Sequence, residues 1–73
     1  MKQNLVSIIT PVYNARNFIM STAQSVINQT YQCWEWILID DCSTDDSWKI
    51  LNNLSENDKR IKIYYSKFSM NHL

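Results

Sequence analysis

Two short apolar runs, each ending in turn chemistry and separated by a helix-length segment, constrain this chain more than anything else in it. Leu5-Val6-Ser7-Ile8-Ile9-Thr10 is mostly β-branched and stops at Pro11. Its apolar residues fall on both faces, which predicts a strand buried on both sides, of the kind found in parallel sheets. Trp34-Glu35-Trp36-Ile37-Leu38-Ile39-Asp40 is the second such run. Between them, Pro11 to Asn14 reads as a loop, with Asn14 placed to cap the adjoining helix. From Ala15 to about Gln29, Phe18, Ile19, Ala23, Val26 and Ile27 form an apolar stripe, with Thr22 and Thr30 on the same track. Asn17, Ser21, Gln24 and Asn28 line the wet side of that amphipathic helix.

After the second run, Asp41 to Asp45 forms a loop, and Ser43-Thr44-Asp45-Asp46 resembles a capping box. A helix is predicted from about Asp46 to Asn57, burying Trp48, Ile50, Leu51 and Leu54. Arg60-Ile61-Lys62-Ile63-Tyr64-Tyr65 begins as a polar–apolar alternation and reads as a third strand. The order β-α-β-α-β implies an α/β fold with a parallel sheet and right-handed crossovers.

Seventy-three residues hold one small domain or a piece of a larger one. A three-stranded sheet with two helices leaves at least one long edge and part of a face uncovered. The stretch from Ser66 to Leu73 is polar and off the pattern. The expectation is therefore a truncated half of a fold, one unit over residues 1–73, broken by a frameshift or early stop near Tyr65.

Seven basic residues balance seven acidic ones. That balance gives no electrostatic footprint for nucleic acid or an anionic membrane. The longest uninterrupted apolar run is Trp36 to Ile39, far short of the roughly 18 residues of a membrane span. No secretory signal is visible, so a cytoplasmic location is the expectation. The chain contains no glycine. This removes the Gly-rich dinucleotide and Walker-type phosphate loops, whose backbone approach needs residues without a Cβ. Cys33 and Cys42 flank the second strand, which would hold their Cα atoms roughly 20 Å apart. A disulfide between them is excluded at that separation, and two reduced thiols are expected.

Ligands of open α/β sheets bind at the carboxyl ends of the parallel strands. Two loops lie there. Thr10 to Asn14 offers a Pro-fixed turn, the ring of Tyr13 and the amide of Asn14. Asp40 to Asp45 offers Asp40, Asp41, Ser43, Thr44 and Asp45. An aromatic face beside a carboxylate suits a flat heterocycle that donates N–H groups, such as a nucleobase. The carboxylates equally suit a divalent cation or simple strand-end and capping roles. Tyr31 and the Trp34/Trp36 pair read as packing residues. Lys59, Arg60 and Lys62 read as a solvated cluster, with a basic contact to a nucleotide diphosphate as the alternative.

Three blocks in order carry a family resemblance: Val6 to Ala15 (VSIITPVYNA), Ser25 to Tyr31 (SVINQTY) and Trp34 to Ser47 (WEWILIDDCSTDDS). Together they resemble the N-terminus of the family-two glycosyltransferases, over about Leu5 to Tyr65. The resemblance implies a nucleotide-sugar-binding, Rossmann-like fold of the GT-A type, of which this chain would be the β-α-β-α-β half. It implies a nucleoside diphosphate sugar as donor, most often a UDP-sugar, with Mg or Mn as cofactor. It also implies that Pro11, Val12 and Tyr13 line the nucleotide pocket, Tyr13 stacking on the base, and that Asp41 accepts a hydrogen bond from the base. Asp40, Ser43 and Asp45 stay open between binding and loop structure.

The departures shape the expectation equally. The family's N-x-G segment and A-R-N-x-[GA] helix do not come after the third strand, and no D-x-D occurs in the chain. The family's catalytic base in the acceptor half is also missing, so no catalytic or metal residue is assigned. Charge neutralisation at the diphosphate and deprotonation of the acceptor drive this displacement. The parent enzyme is expected to transfer sugar to an acceptor in bacterial surface polysaccharide synthesis, and intact relatives to associate with the inner membrane face. The 73-residue chain is expected to be inactive by itself. Two other classes each share a feature with the chain. A signalling receiver domain shares the Asp40-Asp41 acid pair but carries it at its first strand. A non-catalytic remnant or small interaction protein would use the uncovered sheet edge.

Overall fold

The computed structural model describes residues 4–66. Within them five elements stand in order: β1 (Val6–Val12), α1 (Arg16–Asn28), β2 (Trp34–Asp41), α2 (Ser47–Asn57) and β3 (Ile61–Ser66). The β-α-β-α-β order is the one the apolar runs predict. Residues 67–73, most of the off-pattern stretch, lie outside the described residues.

The sheet has the order β1-β2-β3, with both neighbouring pairs parallel. Each crossover therefore moves one place in the same direction. Crossovers of one hand then carry both helices to the same face of the sheet. The core bears this out: Ile19 and Ala23 of α1, Leu51 and Leu54 of α2, and Trp34, Trp36 and Leu38 of β2 form one cluster with Val12 and Ile61. The even-numbered residues of β2 point into it, as the two-residue period of a strand requires. Trp36 also satisfies its indole inside this layer, donating from Nε1 to Thr10 Oγ1 at 2.9 Å.

The opposite face has no helix among the described residues, and this corrects the expectation that the first strand is buried on both sides. Ile9 of β1 is 63% exposed and Tyr64 of β3 56% exposed, while Ile37 and Ile39 of β2 between them are half-buried. Pro11 does not end β1 either. Val6 N–H donates to Cys33 O on the β2 side, so alternation directs the nitrogen of residue 11 to the free edge, where the ladder needs no donor. The strand therefore runs one turn of the pleat further than expected, to Val12.

Two helix expectations are corrected in detail. Phe18 is exposed rather than packed, and Trp48 and Ile50 are only half-buried. Trp48 meets Tyr65 edge-on, with ring centroids 5.6 Å apart.

The amino-terminal end of the sheet is closed by charge. The Arg60 guanidinium lies 3.8 Å over the Trp34 ring and pairs with Asp58 at 2.8 Å. Glu35 takes the Lys62 ammonium at 2.8 Å and the Ser7 hydroxyl at 2.6 Å. Arg60 and Lys62 thus stand at the end opposite the strand-end loops, away from any ligand bound there. Cys33 and Cys42 stand at the two ends of β2 and are not joined in a disulfide.

Candidate functional site

The carboxyl ends of β1 and β2 lie side by side, Val12 paired in register with Asp40. Tyr13 and Asp41 each come one residue after that pair. Neighbouring strands are about 4.8 Å apart, so the ring and the carboxylate spring from adjacent backbone positions. Tyr13 is 52% exposed, whereas Asp41 is 2% exposed and Val12 is part of the core. Pro11 lies exposed on β1's uncovered face. Of the four residues expected to bind a nucleotide, Pro11 and Tyr13 therefore face outward, while Val12 and Asp41 are buried.

Both turns leave the sheet through the left-handed region, with φ of 45° at Asn14 and 59° at Cys42. In a chain without glycine, these positions fall to residues with a Cβ. Asn tolerates the conformation because its short amide bonds locally. Cys42 is held there by its thiol, which donates to Ser66 O at 3.1 Å.

The two turns are stitched to each other. Asn14 does not cap α1 as expected; Ala15 occupies the cap position and makes no side-chain cap bond. Asn14 Oδ1 reaches across to the second loop instead, accepting the N–H of Thr44 at 2.8 Å and of Asp45 at 3.3 Å. The second loop reciprocates. Ser43 Oγ accepts the N–H of Asn14 at 3.0 Å, Ser47 Oγ that of Ala15 at 2.9 Å, and Asp45 Oδ2 that of Arg16 at 3.3 Å. The unsatisfied amides at the start of one helix are thus met by side chains leading into the other.

Asp45 also accepts the N–H of Ser47 at 2.9 Å. Its bonds to Ser47 hold its carboxyl below the usual range, with the Arg16 N–H and charge helping and desolvation opposing. The capping-box reading of Ser43 to Asp46 is corrected accordingly: Asp46 occupies the α2 cap position without a side-chain bond.

Asp40 is fully buried beneath this junction. Its Oδ1 accepts the Ser43 N–H at 3.3 Å and the Ser43 hydroxyl. Among the described residues Oδ2 finds no hydrogen-bond partner. Beyond Asp40, the Tyr65 hydroxyl is pushed up by Cys42 first, with burial and the Asp40 charge adding to it. The sequence alone did not reveal the reciprocal stitching. Its one trace there is the crowding of capping-type residues in both loops.

No group of three or more His, Cys, Asp or Glu among the described residues could hold a metal ion. With no D-x-D in the sequence, the residues present do not fit a divalent cation. The apolar pocket between Pro11, Val12, Phe18 and Thr22 measures about 80 Å³. A small-molecule site usually encloses about 300–1,000 Å³. At the carboxyl end of β1 the described residues therefore offer an open wall rather than a closed pocket, and a larger hollow of about 390 Å³ lies elsewhere, along α1 against Leu54. No helix among them is long and apolar enough to cross a membrane.

Comparison with known proteins agrees with this geometry. The family model described as glycosyl transferase family 2 matches residues 7–70. A Bacillus subtilis protein named as a teichuronic acid biosynthesis glycosyltransferase, TuaG, is 49% identical over 61 residues, covering 84% of this chain and 24% of that protein. The Escherichia coli enzyme WfaP, named as a UDP-Glc:α-D-GlcNAc-diphosphoundecaprenol β-1,3-glucosyltransferase, is 46% identical over 52 residues, covering 71% of this chain and 21% of its own. Among solved structures, S. aureus TarS 1-349 in complex with UDP superposes with a TM-score of 0.77 at 26% identity, covering 92% of this chain and 20% of that one. The chain thus spans about a quarter or less of the length of these relatives. With the fold, the motif blocks and the family match in agreement over nearly all its length, this chain belongs to glycosyl transferase family 2.

Proposed function

We propose that the chain is the nucleotide-binding portion of a bacterial glycosyltransferase that moves a sugar from a nucleoside diphosphate sugar, a UDP-sugar, to an acceptor of a surface polysaccharide. The observation that carries this reading is the placement of Tyr13 and Asp41 directly after one register pair, Val12 and Asp40. Tyr13 stacks on the base, and Asp41 accepts the N–H on the base's edge. Pro11 and the Val12 backbone form the floor beside them. The UDP in the TarS neighbour and the UDP-Glc in the WfaP name support the choice of nucleotide.

Asp41 is closed off as the chain stands, so binding a base requires its carboxylate to exchange neighbours. Diphosphate neutralisation by Mg or Mn, and the base that deprotonates the acceptor, belong to the intact enzyme. The chain alone holds the nucleoside and transfers nothing. Its place is the cytoplasm, where nucleotide sugars are made, with the intact enzyme working at the inner membrane face.

Titration of the purified chain with UDP and CDP tests this. Uracil presents N3–H to a carboxylate, whereas cytosine sets a bare, accepting N3 there and has only its displaced N4 amine to donate, so UDP should bind more tightly. Tyr13→Ala and Asp41→Asn should each weaken UDP about tenfold, from stacking and hydrogen-bond energies of about 1–3 kcal/mol. Equal affinity for UDP and CDP, or unchanged binding in both variants, would overturn the assignment. Sugar transfer by the purified chain would overturn its inactivity.

A further inference from the structure

We propose that Ser43, anchored on Asp40, is a positioning residue for the base-binding pair, holding the turn that carries Tyr13 against the strand end that carries Asp41. The proposal rests on the nucleotide-binding role of that pair. Its basis is a short relay between the two residues. The Asn14 N–H belongs to the planar peptide unit that begins at Tyr13 Cα. Ser43 Oγ accepts that N–H at 3.0 Å, so it fixes the peptide plane that leaves Tyr13 and restrains the backbone from which its side chain springs. The same hydroxyl donates to Asp40 Oδ1, using both hydrogen-bonding capacities of a serine. Asp40 is fully buried on the central strand and is the covalent neighbour of Asp41. The path therefore runs from Tyr13 through one peptide, one hydroxyl and one carboxylate to Asp41.

Ser43 acts on the turn rather than on the helix. The next two amides of the α1 start have their own acceptors, Ser47 Oγ for Ala15 and Asp45 Oδ2 for Arg16. Removing the Ser43 hydroxyl leaves those bonds in place, releases the Tyr13 peptide and leaves Asp40 Oδ1 with the Ser43 N–H alone. The site then loses preorganisation, which weakens binding without removing a contact to the ligand.

The test compares Ser43→Ala with Ser43→Thr in the 73-residue chain, reading UDP affinity, hydrogen exchange at the Asn14 amide and the urea midpoint. Ser43→Ala should weaken UDP and speed Asn14 exchange, each roughly tenfold, the scale of one hydrogen-bonded relay. Ser43→Thr keeps the hydroxyl and should restore both. If the alanine variant unfolds, Ser43→Cys keeps the volume but accepts hydrogen bonds poorly, and should show the same two losses. Wild-type UDP affinity in Ser43→Ala, or an affinity loss that Ser43→Thr shares, would overturn the positioning role alone. No UDP binding by the wild-type chain would overturn the nucleotide reading and this role with it.

Discussion

Asn14 accepts the backbone N–H of Thr44 at 2.8 Å across 30 residues of sequence. The turn after β1 therefore supplies the acceptor for the turn after β2. Since Ser43, Ser47 and Asp45 return the service to Asn14, Ala15 and Arg16, the start of α1 is completed by the segment that leads into α2, and Asn14 holds that segment in place. Local and long-range order at this end of the sheet form together.

Substitutions at Asn14 should separate conformation from hydrogen bonding. Asn14→Asp keeps the acceptor and should stay nearest the wild type. Asn14→Gly loses the acceptor but tolerates the φ of 45°, and should cost about 1 kcal/mol for the lost bonds. Asn14→Ala loses the bonds and adds the left-handed penalty of about 1–2 kcal/mol. Urea denaturation should rank the variants in that order. Equal stability of the Gly and Ala variants would contradict the positive φ.

The Trp36 indole should be sensitive to a substitution that touches no ring. Trp36 is 1% exposed, and its Nε1 donates to Thr10 Oγ1. Thr10→Val preserves shape and removes the acceptor, so a buried donor is orphaned at about 1–3 kcal/mol. In a Trp36→Phe background the same change should cost much less, and the double-mutant cycle measures the difference.

The element order was legible because apolar period and turn chemistry are local properties. So was the position of Tyr13 and Asp41 at the strand ends, since a parallel sheet puts every such loop at one edge. The roles of Asn14 and Pro11 were not legible. Asn14 looks like a cap for the adjacent helix until the sheet brings Thr44 beside it. Pro11 looks like a stop until β1 is known to be an edge strand. The apolar side chain of Ile9 predicts burial, but which face the helices cover depends on strand order, which the period of a single strand does not contain.

Acid should weaken the fold through three carboxylates. Glu35 is held below its usual range by the Lys62 and Ser7 hydrogen bonds, Asp45 by its bonds to Ser47, and Asp58 by the Arg60 guanidinium. Folded-state values below the unfolded ones mean that their contribution is present above the ordinary carboxylate range, about pH 4. It is lost as pH falls through the depressed folded values. Lys62 and Arg60 are raised by the same partners. The Lys62 contribution is present below its ordinary range and fades as pH rises past about 10. Urea midpoints should fall below pH 4, and Asp58→Asn should flatten that limb. Because the groups are only half-buried, 0.5 M salt should shrink the effect. A limb unchanged in Asp58→Asn would remove Asp58 from the account.

The uncovered sheet face should separate a chain that stands alone from one that associates. Ile9 is 63% exposed there, while Leu38, on the helix-covered face of the next strand, is 1% exposed. Ile9→Thr keeps the β-branched shape and exchanges a methyl-bearing carbon for a hydroxyl on an open surface. For a monomer that change should alter stability by no more than about 0.5 kcal/mol. Leu38→Ala opens a cavity between Trp36, Leu51 and the helices, and should cost about 2–5 kcal/mol. Sedimentation velocity run beside the urea series distinguishes the cases. A monomer that is indifferent to Ile9→Thr leaves this face open to solvent. A concentration-dependent species that Ile9→Thr dissolves would show the face covered by a second copy, and would favour the interaction-protein reading over nucleotide binding by a single chain.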